Sequence, residues 1–114
     1  MNDKGQWAEK IAGEYLENSG YSPLLYNFSW KYGEIDLIMK DKDTIVFVEV
    51  RSLTKEDNIH PSETITKNKV KKIKKTAEFF LHKNKLHEAF CRFDFISLQG
   101  TPEDYIIEHI KDAF

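Results

Sequence analysis

Two acidic residues, Asp36 and Glu49, lie in short apolar segments on either side of a predicted tight turn. The segments, residues 33–38 and 45–51, are rich in β-branched residues, which is typical of a β-hairpin. A two-residue loop at positions 42–43 would place Asp36 directly opposite Glu49 on one side of the sheet. Opposed carboxylates repel each other, so such a pair within apolar strands indicates a bound hard cation, Mg²⁺ or Mn²⁺.

The register of this hairpin decides whether the site exists. A loop that is one residue longer or shorter would send Asp36 and Glu49 to opposite faces of the sheet. The same register places Glu34 opposite Arg51, where the two side chains would form an ion pair across the ladder. The alternative interpretation is a hairpin whose charges lie at a sheet edge and serve solubility alone.

A block of basic residues follows the hairpin. Residues 67–75 contain six lysines and no acidic residue, although the formal net charge of the chain is −2. This asymmetry is typical of proteins that bind a polyanion. We predict that Lys67, Lys69, Lys71 and Lys72 contact a nucleic-acid backbone, and the alternative is a solvated helix face.

Three aromatic residues near the hairpin also have two interpretations. Tyr26, Trp30 and Tyr32 can stack on nucleic-acid bases, or they can pack in the core or at the edge of the sheet.

Length and composition limit the class of protein. A chain of 114 residues with 40% hydrophobic and 13% aromatic residues is expected to form one globular domain over residues 1–114. Cys91 is the only cysteine, so an internal disulfide is excluded, and we expect its side chain in the core. No signal peptide or membrane-spanning run is visible, and we therefore expect a cytoplasmic protein without a membrane partner.

Apolar faces at helical spacing predict two helices that position the candidate residues. The first spans residues 4–19, with a cap at Asn2 or Asp3, and Gly20 is placed to end it in a left-handed conformation. The second spans residues 66–83 and carries the lysines.

The remaining regular segments predict five strands. They span residues 23–30, 33–38, 45–51, 92–98 and 105–110. The order α-β-β-β-α-β-β predicts a single α/β domain, in which helices flank a mixed β-sheet.

Several stretches of the chain, in this order, resemble one known family. They are Ala8-Glu9, Gly20-Tyr21, Asn27, Gly33–Ile38, Phe47–Arg51, Ile65-Thr66 with Lys69, Cys91–Asp94, His109-Ile110 and Ala113-Phe114. Together they are similar to the YraN family of small bacterial proteins. Within them, Asp36 followed by Glu49-Val50-Arg51 resembles the core motif of PD-(D/E)XK nucleases. The resemblance implies a restriction-endonuclease-like fold of the Holliday-junction-resolvase type.

The resemblance also implies roles for individual residues. Asp36 and Glu49 would be metal ligands, and the backbone carbonyl of Val50 would be a third. Glu9 would join the metal site from the first helix. Arg51 would stand where these nucleases have a catalytic lysine, although an arginine cannot lose its proton and so cannot act as a general base.

A function follows from these roles. We expect a Mg²⁺-dependent endonuclease that hydrolyses DNA, including branched DNA, and works as a homodimer because a branch offers two cleavage sites. Ser29 and Leu53 depart from the family pattern, which has basic residues at both positions. The alternatives are therefore a nucleic-acid-binding module without catalysis and a protein-interaction module that retains the fold.

Overall fold

The computed structural model of the chain describes residues 3–86 and 88–114, and of residues 3–5 it describes the backbone alone. The elements are α1 (Asp3–Asn18), β1 (Ser22–Trp30), β2 (Gly33–Asp41), β3 (Thr44–Leu53), a 3₁₀-helix (Pro61–Thr64), α2 (Lys67–Lys83), β4 (Phe90–Thr101) and β5 (Asp104–Ile110). The predicted order of helices and strands is confirmed, and the 3₁₀-helix is an addition.

The five strands form one mixed sheet in the order β1-β2-β3-β4-β5. Strands β3 and β4 are parallel, and the other neighbouring pairs are antiparallel. Parallel neighbours need a crossover connection, and α2 lies in the connection between β3 and β4. The predicted α/β architecture with a mixed sheet is therefore confirmed.

Each face of the sheet is covered by one helix. Ala8, Ala12 and Leu16 of α1 pack on one face, and Ile73, Ala77 and Phe80 of α2 pack on the other. Residues 45–50 of the central strand β3 are all buried, because their side chains alternate between two covered faces. This is why the strand is apolar in the sequence at every position of this segment except Glu49.

The β2–β3 hairpin has the predicted two-residue loop. Asp41 pairs with Thr44, and the ladder continues in the same register to Leu37 opposite Val48. Lys42, the first loop residue, has a φ of 56°, in the left-handed region that tight hairpin turns use. The predicted register is confirmed as far as the ladder extends.

The predicted end of α1 is also confirmed. Gly20 has a φ of 98°, and the backbone N–H of Tyr21 donates a hydrogen bond to the carbonyl of Leu16, as in a helix that closes with a left-handed residue. The predicted cap at Asn2 or Asp3 lies outside the described residues and side chains.

The prediction of a buried Cys91 is wrong, because its side chain is exposed. Cys91 is the second residue of β4 and pairs with Ile45, next to the hairpin turn, and its neighbour Phe90 is 76% exposed. The start of β4 therefore lies where the helices do not cover it.

A buried charge network ties the end of the chain to the sheet. Asp94 is fully buried and accepts two hydrogen bonds from Arg92, one from His109 and one from the backbone of Asp112. Burial alone would raise the pKa of Asp94, but these hydrogen bonds and the arginine charge lower it to about 2. The network thus holds Asp94 in its charged form.

Within the described part of the chain, no helix is long and apolar enough to cross a membrane.

Candidate functional site

Strands β2 and β3 separate at one end of their ladder, and Asp36 lies at this point. The last ladder pair is Leu37 with Val48. Immediately beyond it, the Asp36 Oδ2 atom accepts a hydrogen bond of 2.8 Å from the backbone N–H of Val50. The Asp36 carboxylate thus replaces the strand partner that the Val50 N–H lacks beyond the end of the β2–β3 ladder. This bond fixes Asp36 beside Val50 and Glu49.

An irregularity in β2 turns the strand at the same place. Ile35 packs in the cluster under α2, whereas Leu37 packs in the cluster under α1. In a regular strand these two residues would share one face. The neighbouring strand β1 shows a matching distortion at Asn27, which has a φ of 56°. The sheet is therefore locally twisted around Asp36.

Burial raises the pKa of both carboxyl groups. It is the main reason why the pKa of Asp36 rises to about 8, and the adjacent charge of Glu49 adds to the rise. Burial also raises the pKa of Glu49, while a hydrogen bond from Asp36 and the charge of Arg51 lower it. Without a cation the pair therefore shares a proton near neutral pH, and a divalent cation would relieve this repulsion.

Two basic side chains contact the same oxygen of Glu49. Lys69 Nζ, from the first turn of α2, lies 3.0 Å from Glu49 Oε2, and Arg51 Nη2 lies 3.1 Å from it. The predicted ion pair between Glu34 and Arg51 is wrong, because β2 and β3 have separated before Glu34 is reached. Arg51 pairs instead with the residue two positions earlier on its own strand.

Arg51 also has an unused donor. Its Nε atom is buried and has no hydrogen-bond partner among the described residues. A buried polar group without a partner is rare in native proteins, and at a candidate site it marks a donor that a bound ligand can use. A guanidinium N–H in this position suits an anionic oxygen such as that of a phosphate.

Glu9 belongs to α1, which covers the face of the sheet opposite to α2. Partial burial raises the pKa of Glu9, a hydrogen bond from Asn27 lowers it, and the charges of Glu34 and Glu49 raise it. Glu9 therefore lies within electrostatic range of the carboxylate pair. Among the described residues, however, no three His, Cys, Asp or Glu side chains are close enough to form a metal-binding group by themselves.

Helix geometry divides the four predicted lysines into two groups. Lys69 makes the ion pair described above, and Lys72 lines a cavity of about 290 Å³ together with Gly33. Lys67 lies two residues before Lys69 and Lys71 two residues after it. A separation of two residues corresponds to a rotation of about 200° around a helix. Both lysines are exposed and lie on the side of α2 away from Lys69. The structure therefore brings only part of the predicted basic surface to the site.

Lys75 is not among the four lysines predicted to contact nucleic acid, but it lines a cavity beside the one that Lys69 and Lys72 line. It lines this larger cavity, of about 600 Å³, with Trp30, Tyr32 and Phe79. The signal available in the sequence was its spacing of three residues from Lys72, which places the two lysines one helical turn apart.

The fold and this site define a small α/β protein in which a half-buried and a buried carboxylate lie together where two strands separate, flanked by an arginine and a lysine. Residues 8–98, which include every predicted site residue, match the family described as "Uncharacterised protein family UPF0102". The chain belongs to this family. It is the family of the YraN proteins, so the resemblance in the sequence is confirmed at the level of the family.

Individual relatives match over almost their whole length. The chain is 47% identical over 111 residues to a UPF0102 protein of Persephonella marina, and the match covers 97% of this chain and 92% of the relative. It is 44% identical over 115 residues to UPF0102 proteins from two strains of Clostridium botulinum, with 98% of this chain and 94% of each relative covered.

Proposed function

We propose that this protein is a Mg²⁺- or Mn²⁺-dependent endonuclease that hydrolyses phosphodiester bonds in DNA and has a restriction-endonuclease-like fold. The observation that carries the proposal is the pair of half-buried Asp36 and buried Glu49, whose pKa values are both raised and which Arg51 and Lys69 flank. Hydrolysis of a phosphodiester needs negative ligands for a cation and positive groups for the phosphate, and both kinds of group meet here.

The residues present fit a divalent cation. Asp36 and Glu49 would hold it, with the backbone carbonyl of Val50 as a third oxygen ligand. Because no three carboxylates of the described residues converge here, water and a substrate phosphate would complete the shell, as is common for Mg²⁺. When bound, the cation would activate a water molecule and neutralise charge on the phosphate.

The other catalytic residues have separate tasks. Arg51 cannot accept a proton, so its task is to donate hydrogen bonds to a phosphate oxygen through its unpaired Nε atom. Lys69 orients Glu49 through their ion pair and adds positive charge. Glu9 adds negative potential from α1 and orients water at the edge of the site.

The lysines of α2 bind the DNA backbone in this proposal. Lys69 and Lys72 contact phosphates next to the scissile bond, since they lie on the side of α2 that faces β2. Lys67 and Lys71 contact flanking phosphates on the other side of the helix. Cleavage of both strands at a branch would require two sites, which a homodimer supplies.

A second candidate function is nucleic-acid binding without catalysis. One specific observation favours it: Arg51 and Lys69 both contact Glu49 Oε2, so two cations already neutralise this carboxylate. In that case the fold would serve as a binding or protein-interaction module, and the basic residues would contact phosphates without any metal.

Calorimetric titration with Mg²⁺ and Mn²⁺ tests the metal site. We expect the wild-type protein to bind one equivalent, and the double variant Asp36→Asn/Glu49→Gln to bind none. The matched control is Asp43→Asn/Glu103→Gln, which removes two charges from exposed positions and should bind as the wild type does.

Cleavage assays on linear and branched DNA complete the test. Metal-dependent cleavage that the double variant loses and the control variant keeps would support the endonuclease. Salt-dependent DNA binding without cleavage in either metal would favour the binding module. No DNA binding at low salt would contradict both and leave the protein-interaction module.

A further inference from the structure

An aromatic groove lies along α2, between this helix and the residues that join β1 to β2. It has a volume of about 600 Å³, and Trp30, Tyr32, Lys75 and Phe79 are among the residues that line it. The smaller cavity beside Glu49's partner Lys69 has a volume of about 290 Å³.

The aromatic rings of the groove are arranged in a fixed order. Trp30 stacks on Phe79, with ring centroids 4.2 Å apart and an angle of 5° between the planes. Tyr32 meets Trp30 edge-on, with centroids 4.9 Å apart and an angle of 89°. Packing against α2 therefore holds Trp30 in place, and Trp30 in turn supports Tyr32.

Tyr32 is exposed and bordered by positive charge. It is 51% exposed, although exposed aromatic residues of this size are usually packed more completely. Lys31 Nζ lies 4.9 Å from the centroid of its ring, and Lys75 Nζ lies 5.7 Å from it. Glu78 is the carboxylate among the described lining residues, so the balance of charge near the ring is positive.

The groove neighbours the smaller cavity, which Lys69 and Lys72 of α2 line. Tyr32 lines the groove, and the next residue, Gly33, lines the smaller cavity. On α2, Lys75 lines the groove, and Lys72, one helical turn earlier, lines the smaller cavity. A Cβ atom at Gly33 would lie 3.0 Å from Thr76 Oγ1. The glycine thus lets β2 approach α2 closely, which keeps the two cavities next to each other.

We propose that this groove binds an unpaired nucleotide that adjoins the cleavage site, with its base stacked on Tyr32 and its phosphate on Lys75 and Lys72. Stacking needs an open base face, which a continuous duplex does not offer. The inference rests on the proposed function and narrows its substrate class to DNA with a single-stranded segment, such as a flap or a branch.

Binding without metal tests this inference separately from catalysis. Fluorescence anisotropy in EDTA compares a labelled oligothymidylate with a hairpin duplex of the same total length. We expect the full-length wild-type protein to bind the single strand more tightly. Tyr32→Ala should weaken single-strand binding by roughly 5- to 100-fold, while Tyr32→Phe should keep it, because stacking needs the ring and not the hydroxyl.

Matched controls separate the groove from general charge and folding effects. Lys75→Ala should weaken single-strand binding, whereas Lys10→Ala, an equal loss of charge at an exposed position of α1, should weaken it much less. In a Trp7→Phe background, Trp30 is the only tryptophan, and oligothymidylate should quench its fluorescence. This second readout confirms that the base lies at the groove in a protein that is folded.

Each result has a distinct meaning. Single-strand preference that depends on Tyr32 and Lys75 supports the inference. Tight binding to DNA that Tyr32→Ala and Lys75→Ala leave unchanged overturns the inference and leaves the proposed endonuclease intact. Equal binding of duplex and single strand also overturns it. Absence of binding to either DNA overturns the inference, and the metal titration and cleavage assays described above then decide the proposed function independently.

Discussion

Lys69 Nζ lies 3.0 Å from Glu49 Oε2, so the first turn of α2 is joined to the end of β3 by an ion pair. The carboxylate is almost fully buried, while the lysine is about one-third exposed, at 36%. A charge pair in this setting is screened less than one on the open surface. Lys69 therefore fixes the position of the Glu49 carboxylate and also competes with any cation that Glu49 would bind.

Loss of Lys69 should strengthen metal binding. We expect Lys69→Met to raise the affinity for Mn²⁺ by roughly tenfold, which is about 1.4 kcal/mol, because the positive charge beside Glu49 opposes cation binding and Arg51 remains as a partner of Glu49. Calorimetry measures the change, and Lys71→Met is the matched control, with no expected effect. A lower affinity in Lys69→Met would show that the lysine positions Glu49 and does not compete with the metal.

The metal-free protein should lose stability as pH rises. Asp36 keeps its proton up to about pH 8 when folded but loses it near 3.8 when unfolded, so the folded state binds more protons within this range. We expect Asp36→Asn to raise the free energy of unfolding at pH 8 by about 1–3 kcal/mol, with little change below pH 4. Urea unfolding in EDTA measures both values. If the free energies of unfolding of the two proteins changed with pH in parallel, Asp36 would not carry a raised pKa in the folded state.

The Asp94 network should stabilise the fold at all but very low pH. Its lowered pKa means that the stabilisation is present above 3.8 and is lost as pH falls to about 2. Asp94→Asn should lower the free energy of unfolding at pH 7 by about 3–5 kcal/mol, because it leaves Arg92 without its main partner. Thermal unfolding followed by circular dichroism measures the loss. Asp112→Asn is the control, since only the backbone of Asp112 bonds to Asp94.

Glu9 should contribute to metal affinity through its charge. It acts electrostatically on Asp36 and Glu49, so Glu9→Gln should lower the affinity for Mn²⁺ by roughly three- to tenfold. Calorimetry with Glu14→Gln, an exposed carboxylate elsewhere on α1, provides the comparison. Equal affinities for the two variants would remove Glu9 from the site.

Arg51 should support cleavage through its positive charge. We expect Arg51→Lys to retain cleavage within roughly tenfold and Arg51→Met to lower the rate by roughly 10²- to 10³-fold, as when one charge-stabilising donor is lost. Single-turnover cleavage of the preferred DNA measures both rates. If Arg51→Met cleaves as fast as the wild type, the guanidinium has no role in the reaction.

The sequence by itself determined the elements and the hairpin register. Alternation and turn composition depend on neighbouring residues, so they predicted the strands on both sides of the two-residue loop and hence the approach of Asp36 to Glu49. The helical spacing of apolar residues predicted α1 and α2 in the same way. The ends of β4 were less well predicted, because Phe90 and Thr101 extend beyond the alternating segment.

Only the tertiary structure decided how the charged side chains are paired. Where β2 separates from β3, Asp36 accepts a hydrogen bond from the Val50 N–H, and Arg51 forms an ion pair with Glu49. Both contacts depend on a local twist of β1, β2 and β3. The division of the lysines depends likewise on which side of α2 rests on the sheet. Local sequence specifies backbone elements through short-range preferences, whereas ion pairs between elements depend on packing that no single segment contains.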